Sequence, residues 1–188
     1  MTEVIDGYLT GQLLVAMPTM SDPRFERTVI YLCAHSKAGA LGLIINRIAD
    51  HISFGDLLTQ LGIAGPPERE IRVHVGGPVE QARGFVLHSA DYVRETTLVV
   101  SEEIALTASI DVLAAIASGQ GPRRSLLALG YAGWDAGQLE SEIQQNGWLQ
   151  VSADEELLFG KNIANKWMKA IRKIGLDVSA LSSESGHA

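Results

Sequence analysis

Two kinds of apolar pattern alternate along this chain. The first is a short run of β-branched and aromatic residues bounded by Gly, Pro, Asn or Asp, which reads as a strand. Such runs cover residues 12–16, stopped by Pro18, then 28–34, 41–45, 72–75, 84–88, 96–100, 125–129 and 148–151. The second pattern places apolar residues three or four apart behind a capping residue and reads as a helix. Ser53 caps a helix over 54–61, with Asp56 completing a capping box and Gly62 as the stop. Thr107 opens a helix with Ile110, Leu113, Ala114 and Ala117 on one face, ended by Gly119. Asp135 caps a helix carrying Leu139 and Ile143, ended by Asn146-Gly147. Asn162 caps the last, with Ile163, Trp167, Ile171 and Ile174 inward and Gly175 as the stop. Asp22-Pro23 starts a short helical turn. Strands follow one another as hairpins and helices interrupt them irregularly, which predicts a mixed, mainly antiparallel α+β domain.

The best-defined hairpin joins 28–34 to 41–45 through Ser36-Lys37-Ala38-Gly39. A turn centred between Lys37 and Ala38 sets Cys33 opposite Gly42, His35 opposite Ala40 and Val29 opposite Asn46. Side chains alternate along a strand. Tyr31, Cys33, Gly42 and Ile44 therefore share one face, and Ile30, Leu32, Leu43 and Ile45 the other. Both faces are apolar, as in an inner hairpin. Gly42 marks a close backbone approach or a small gap.

At 188 residues and 46% hydrophobic, the chain can fill a core without staples. We expect one domain over 1–176 and a disordered tail over 177–188, whose small polar residues bury little. The single cysteine, Cys33, excludes an intrachain disulfide and a Cys-based zinc site. Residues 1–7 include Glu3 and Asp6 and no apolar run, unlike a secretory leader, and no stretch approaches a membrane span. A cytoplasmic protein without membrane contact is expected. A net charge of −7 opposes the nucleic-acid backbone.

Three segments carry a further signal: GQLLVAMPTMSDPRFERTVIYLCAHSKAGALGLIINR (11–47), VHVGGPVEQARGFVLHS (73–89) and LALGYAGWDAGQLESEIQQNGWL (127–149). Together, and in this order, they resemble the YqgE/AlgH family of bacterial proteins. The resemblance implies an α/β fold with a bent, partly barrel-like sheet flanked by helices. It also implies a regulatory role, since one family name comes from control of alginate production and members carry the label of transcriptional regulators. It supplies no catalytic residues.

Among residues suited to chemistry, Cys33 sits mid-strand between Leu32 and Ala34, where a buried, inert thiol is expected, although His35 on the same face would be placed to activate it. Asp22, Arg24 and Arg27 precede the first hairpin strand and Asn46 and Arg47 end the second, so antiparallel pairing gathers three arginines against one aspartate. That surplus suits a small anion, and these five residues are the predicted ligand site. The segment 130–134 reads as a strand-to-helix turn, and Gly76-Gly77-Pro78 as a turn needing positive φ. The five histidines lack metal-ligand spacing, and there is no nucleophile-elbow motif. No cofactor is expected.

The last helix carries Lys161, Lys166, Lys169, Arg172 and Lys173 with no acid over 160–176, leaving −12 on the rest. These lysines should lie outside, and no helix-turn-helix accompanies them. The leading expectation is a non-enzymatic regulatory or interaction protein that binds a protein partner or a small anionic ligand. The alternatives are an enzyme using an arginine-lined cleft, with or without Cys33, and a transcription factor that binds DNA directly. Sequence-specific nucleic-acid binding is not expected.

Overall fold

In the computed structural model, residues 8–64 and 67–176 are described. The predicted disordered tail lies outside them, as do residues 1–7. The strands are β1 (Gln12–Ala16), β2 (Val29–Ser36), β3 (Gly39–Ile44), β4 (Val73–Val75), β5 (Val79–Ser89), β6 (Thr97–Val99), β7 (Ile104–Thr107), β8 (Ser125–Asp135) and β9 (Trp148–Ser152). The helices are α1 (Phe54–Gln60), α2 (Ile110–Ala117), α3 (Gln138–Gln144), α4 (Glu155–Phe159) and α5 (Lys166–Lys173), the last entered through a 3-10 turn. The strands form one curled sheet in the order β6-β7-β5-β8-β3-β2-β1-β9, antiparallel throughout except for β4, which runs parallel to β8. This is the expected mixed α+β fold with a curled, half-barrel sheet.

Alternation along each strand divides the core. One face gathers Leu13, Tyr31, Leu43, Phe85, Leu106 and Ala128 from across the sheet, and α4 and α5 cover it with Leu157, Leu158, Trp167 and Ile171. On the other face, α1 and α2 cover the β4–β5–β8 half. Around α3, Leu139 joins Leu14, Ile30, Ile44 and Trp134 in the second half. The Ser53–Asp56 capping box forms as predicted, with both reciprocal bonds present.

Two backbone irregularities re-aim whole strands. The β2–β3 hairpin begins in the expected register, His35 opposite Ala40, but Cys33 is bulged out of the ladder and Leu32, not Cys33, faces Gly42. Beyond the bulge the register slips by one, which turns Leu43 and Ile45 to the face of Tyr31 and Cys33 and leaves Ile44 with Ile30 and Leu32. The predicted faces are corrected accordingly. Gly42 does make the expected close approach: a Cβ there would lie 2.6 Å from the Ile30 side chain.

The second irregularity is Gly130, at φ 78° within β8. Before it Leu127 and Leu129 face α1 and α2; after it Ala132 and Trp134 face α3, a switch in parity. The segment 130–134 is therefore strand, not the predicted turn. Gly130 serves close approach, since a Cβ on it would run into the Gly77 carbonyl and one on Gly76 into the Gly130 carbonyl. Gly77 has φ 159°, and a side chain there would strike Tyr131.

Three helix predictions also change. Thr107 ends β7 rather than opening a helix, and α2 starts behind Ser109 with Val112, Leu113 and Ile116 buried and Ile110 exposed. Gly137, not Asp135, caps α3. In α5, Trp167, Ala170 and Ile171 face inward with Lys166, while Ile174 is exposed. Helix α4, capped by Asp154, has no counterpart in the sequence reading.

Candidate functional site

The five predicted site residues meet around the loop 22–27, but their polar groups turn to internal partners. Arg24 grips Asp22 through Nε and Nη2, the latter at 2.7 Å, and holds that carboxyl below its usual pKa. Arg27 adopts the left-handed region at φ 55° and stacks its guanidinium on the Trp167 ring, 4.1 Å from the centroid. Asn46 donates to the Arg27 carbonyl and accepts from the Val29 N–H, both at 2.9 Å. Arg47 donates to the carbonyls of Pro23, Arg24 and Glu26. The cluster clamps the loop. The three guanidinium groups go to a carboxylate, an indole and a set of carbonyls, so they do not face a common point.

Cys33 is buried, and burial pushes its thiol up to about 12. The bulge carries His35 to the opposite face, where it accepts from the Leu9 N–H through Nδ1 and bonds Glu140 through Nε2 at 2.8 Å. With Nδ1 accepting, Nε2 carries the proton and donates to the Glu140 carboxylate. The expected neighbour of the thiol is thus engaged elsewhere.

What the clamped loop does build is one wall of a cleft of about 340 Å³ on the α3 side of the sheet. Trp134 of β8 and Trp148 of β9 meet edge to face at 6.1 Å, and Phe25 packs on Trp148 at 5.8 Å. Glu142 of α3 pins both indoles, its Oε1 accepting from Trp148 Nε1 at 2.9 Å and from Trp134 Nε1 at 3.1 Å. Gln138 donates to Oε2 of the same carboxylate and accepts from the Asp135 N–H. Met20 and Val79 complete the apolar lining. Val79 is brought there by the tight Gly76–Gly77 crossing over Gly130. Every residue lining this cleft lies in one of the segments 11–47, 73–89 and 127–149, which together make up under half of the chain. Sequence reading found Asp22 and Arg24 but missed the indoles and Glu142; the signal available was Trp134 and Trp148 bracketing Glu142 in one motif.

Other buried polar groups lie away from the cleft. Lys166 is buried and donates to the carbonyls of Leu158 at 2.9 Å and Ile45 at 3.3 Å, and burial lowers its pKa to about 8. His74 bonds the Leu127 carbonyl through Nδ1, its buried Nε2 has no partner, and burial with the Lys166 charge lowers its pKa to about 4. His88 bonds the Ser89 carbonyl through Nδ1, so its Nε2 accepts from the Thr107 hydroxyl at 2.8 Å. Among the described residues no group of three or more His, Cys, Asp or Glu is placed to hold a metal ion. The basic last helix is partly neutralised by α4 and its cap, with Lys173 on Asp154 at 2.7 Å and Lys169 near Glu156 at 3.9 Å. No helix among the described residues is long and apolar enough to cross a membrane.

The curled antiparallel sheet with helices on both faces is an α+β fold of the AlgH type. The chain belongs to the AlgH-like family, whose model matches residues 13–179. It is 55% identical over 184 residues to a UPF0301 protein of Rhodospirillum rubrum, covering 97% of this chain and 96% of that one. A UPF0301 protein of Bradyrhizobium diazoefficiens is 53% identical over 191 residues, covering 97% and 89%. The solution structure of the AlgH protein from Pseudomonas aeruginosa superposes with a TM-score of 0.81 at 43% identity, covering 100% of both chains. A crystal structure of a Corynebacterium diphtheriae protein shares the fold, with a TM-score of 0.71 at 18% identity over 93% of this chain and 91% of that one.

Proposed function

We propose that the protein is a non-catalytic cytoplasmic interaction module with a regulatory role, and that it docks an apolar side chain of a protein partner in the Trp134–Trp148 cleft. The observation that carries this reading is the lining: all three segments that typify the family converge there, and the polar groups of Glu142, Gln138 and Asp22 are already engaged with one another's neighbours. A cleft whose polar groups are spent internally recognises shape and apolar area, as the anchor pockets of protein interfaces do. Regulation of transcription then runs through the partner. Direct DNA binding is disfavoured by the charge of −7 and by the ion pairs on the basic helix, and should be weak and salt-sensitive.

The test is a titration of 15N-labelled protein with N-acetyl-leucinamide and N-acetyl-tryptophanamide. The reading predicts saturable shifts of the Trp134 and Trp148 indole N–H signals, with Trp167 unmoved, and their loss in Val79→Asp. Shifts spread evenly over the surface, or none at the two indoles, would count against it.

A further inference from the structure

A second cavity, of about 230 Å³, lies at the end of α2 and the start of β8, and none of its lining residues falls in the three family segments. Ile116 and Pro122 supply its apolar surface, Gly119 and Gly121 its backbone, and Arg69, Arg123 and Ser125 its polar groups. The wall is built by close packing: a Cβ on Gly121 would lie 2.7 Å from Ile116 Cγ1, so bare backbone passes against the helix. The loop is fixed by Asp91, which accepts from the Arg123 N–H at 2.9 Å.

The cations here are only partly committed to partners. Arg123 reaches Glu155 at 2.9 Å, and Arg124 shares that carboxylate at 3.8 Å while its buried Nε lacks a hydrogen bond. The other nearby carboxylates are Glu68, lying over Gly119, and Asp91, on the Arg123 N–H. Among the described residues Arg69 has no ion pair or hydrogen bond, and the Ser125 hydroxyl has no partner. Arg69 is thus left without a carboxylate, and Arg123 commits only its Nη2 to one.

We propose that this cavity binds a small phosphate monoester, its phosphate between the guanidinium groups of Arg69 and Arg123 with the Ser125 hydroxyl donating, and its organic part against Ile116 and Pro122. A planar carboxylate is satisfied by a single guanidinium fork; two forks from separate elements and a hydroxyl suit the several oxygens of a phosphate. The small-anion expectation drawn from the sequence is thereby moved from arginines engaged inside their own loop to an unpaired Arg69 and an Arg123 that commits one nitrogen, and it stands apart from the indole cleft.

The test follows 15N spectra during titration with glycerol 3-phosphate, inorganic phosphate and acetate at matched ionic strength. Glycerol 3-phosphate should give saturable shifts at Gly121, Arg123 and Ser125. Inorganic phosphate should bind more weakly, leaving Ile116 and Pro122 uncovered, and acetate should not saturate. Arg69→Gln, which breaks no internal contact, and Arg123→Gln should each weaken the ester about tenfold, the loss of roughly one strong hydrogen-bonded contact. Spectra unchanged away from the cavity will show that both variants fold. An equal response to acetate, affinity for inorganic phosphate as high as for the ester, or binding unaltered in both variants would overturn the assignment.

Discussion

Lys166 places an ammonium group in the core on two carbonyls, with no carboxylate at ion-pair distance among the described residues. Its position at the first residue of α5 adds the unfavourable end of the helix dipole. Because its folded pKa, about 8, lies below its ordinary value of 10.5, the unfolded lysine holds more protons between those values and its contribution to stability must rise with pH across that window. His74 gives the same sign lower down: its pKa falls from 6.5 to about 4, so stability is lost as pH drops through that interval. Each limb is worth about 3 kcal/mol at most. Urea midpoints measured from pH 4 to 9, below the range where the raised pKa values of Cys33 and Tyr31 act with the opposite sign, should show both limbs, and Lys166→Met should abolish the alkaline one and soften the acid one, since the lysine charge contributes to the His74 shift. An equal slope in the parent chain and in Lys166→Met between pH 8 and 9, still below that range, would show that Lys166 is not a buried cation. Cys33, with its thiol near 12, should react with a thiol reagent only as fast as the protein unfolds. Labelling that does not slow when denaturant is removed would contradict its burial. Burial of this thiol was legible from its apolar neighbours. The burial of Lys166 was not, because a lysine at the edge of an apolar stripe looks the same in sequence whether its amine reaches water or a carbonyl.

Strand β8 shows where pattern reading stops at the level of the element. Gly130-Tyr131-Ala132-Gly133 has the composition of a turn, yet it lies in the middle of an 11-residue strand contacted by β3, β4 and β5. Glycine marks both turns and places where another backbone comes close, and only the fold decides which. The same limit hid the Cys33 bulge, which has no residue signature, and left the short apolar run of β7 unassigned except for its last residue, Thr107, read as the start of the following helix. By contrast, α1 was legible to within a residue because its capping box and stop are local chemistry. Gly130→Ala should cost about 2–4 kcal/mol, because the alanine must take a left-handed φ and meet the Gly77 carbonyl. Chemical denaturation will measure it, and a loss below about 0.5 kcal/mol, the range of an ordinary surface change, would mean that the crossing is loose.

For the molecule as a whole, the alternating hairpins made the antiparallel α+β class legible, whereas the curl of the sheet came from the family resemblance and not from periodicity. The candidate site divided in the same way. Sequence neighbours and hairpin pairing correctly gathered Asp22, Arg24, Arg27, Asn46 and Arg47, but the direction of a guanidinium depends on carbonyls and rings brought in from elsewhere, here Pro23, Glu26 and Trp167. The indole cleft needed three distant segments to fold together before it existed. Its role as the docking surface is the central claim, and crosslinking from its rim in living cells tests it most directly. A photoreactive amino acid at Val79 or Gln145, both lining the cleft, should yield the same discrete adduct with one partner, and Phe25→Ala should reduce it several-fold. The probe at Leu61, exposed at the end of α1, should not yield that adduct. The same adduct from Leu61, or no adduct from either rim position, would contradict the account.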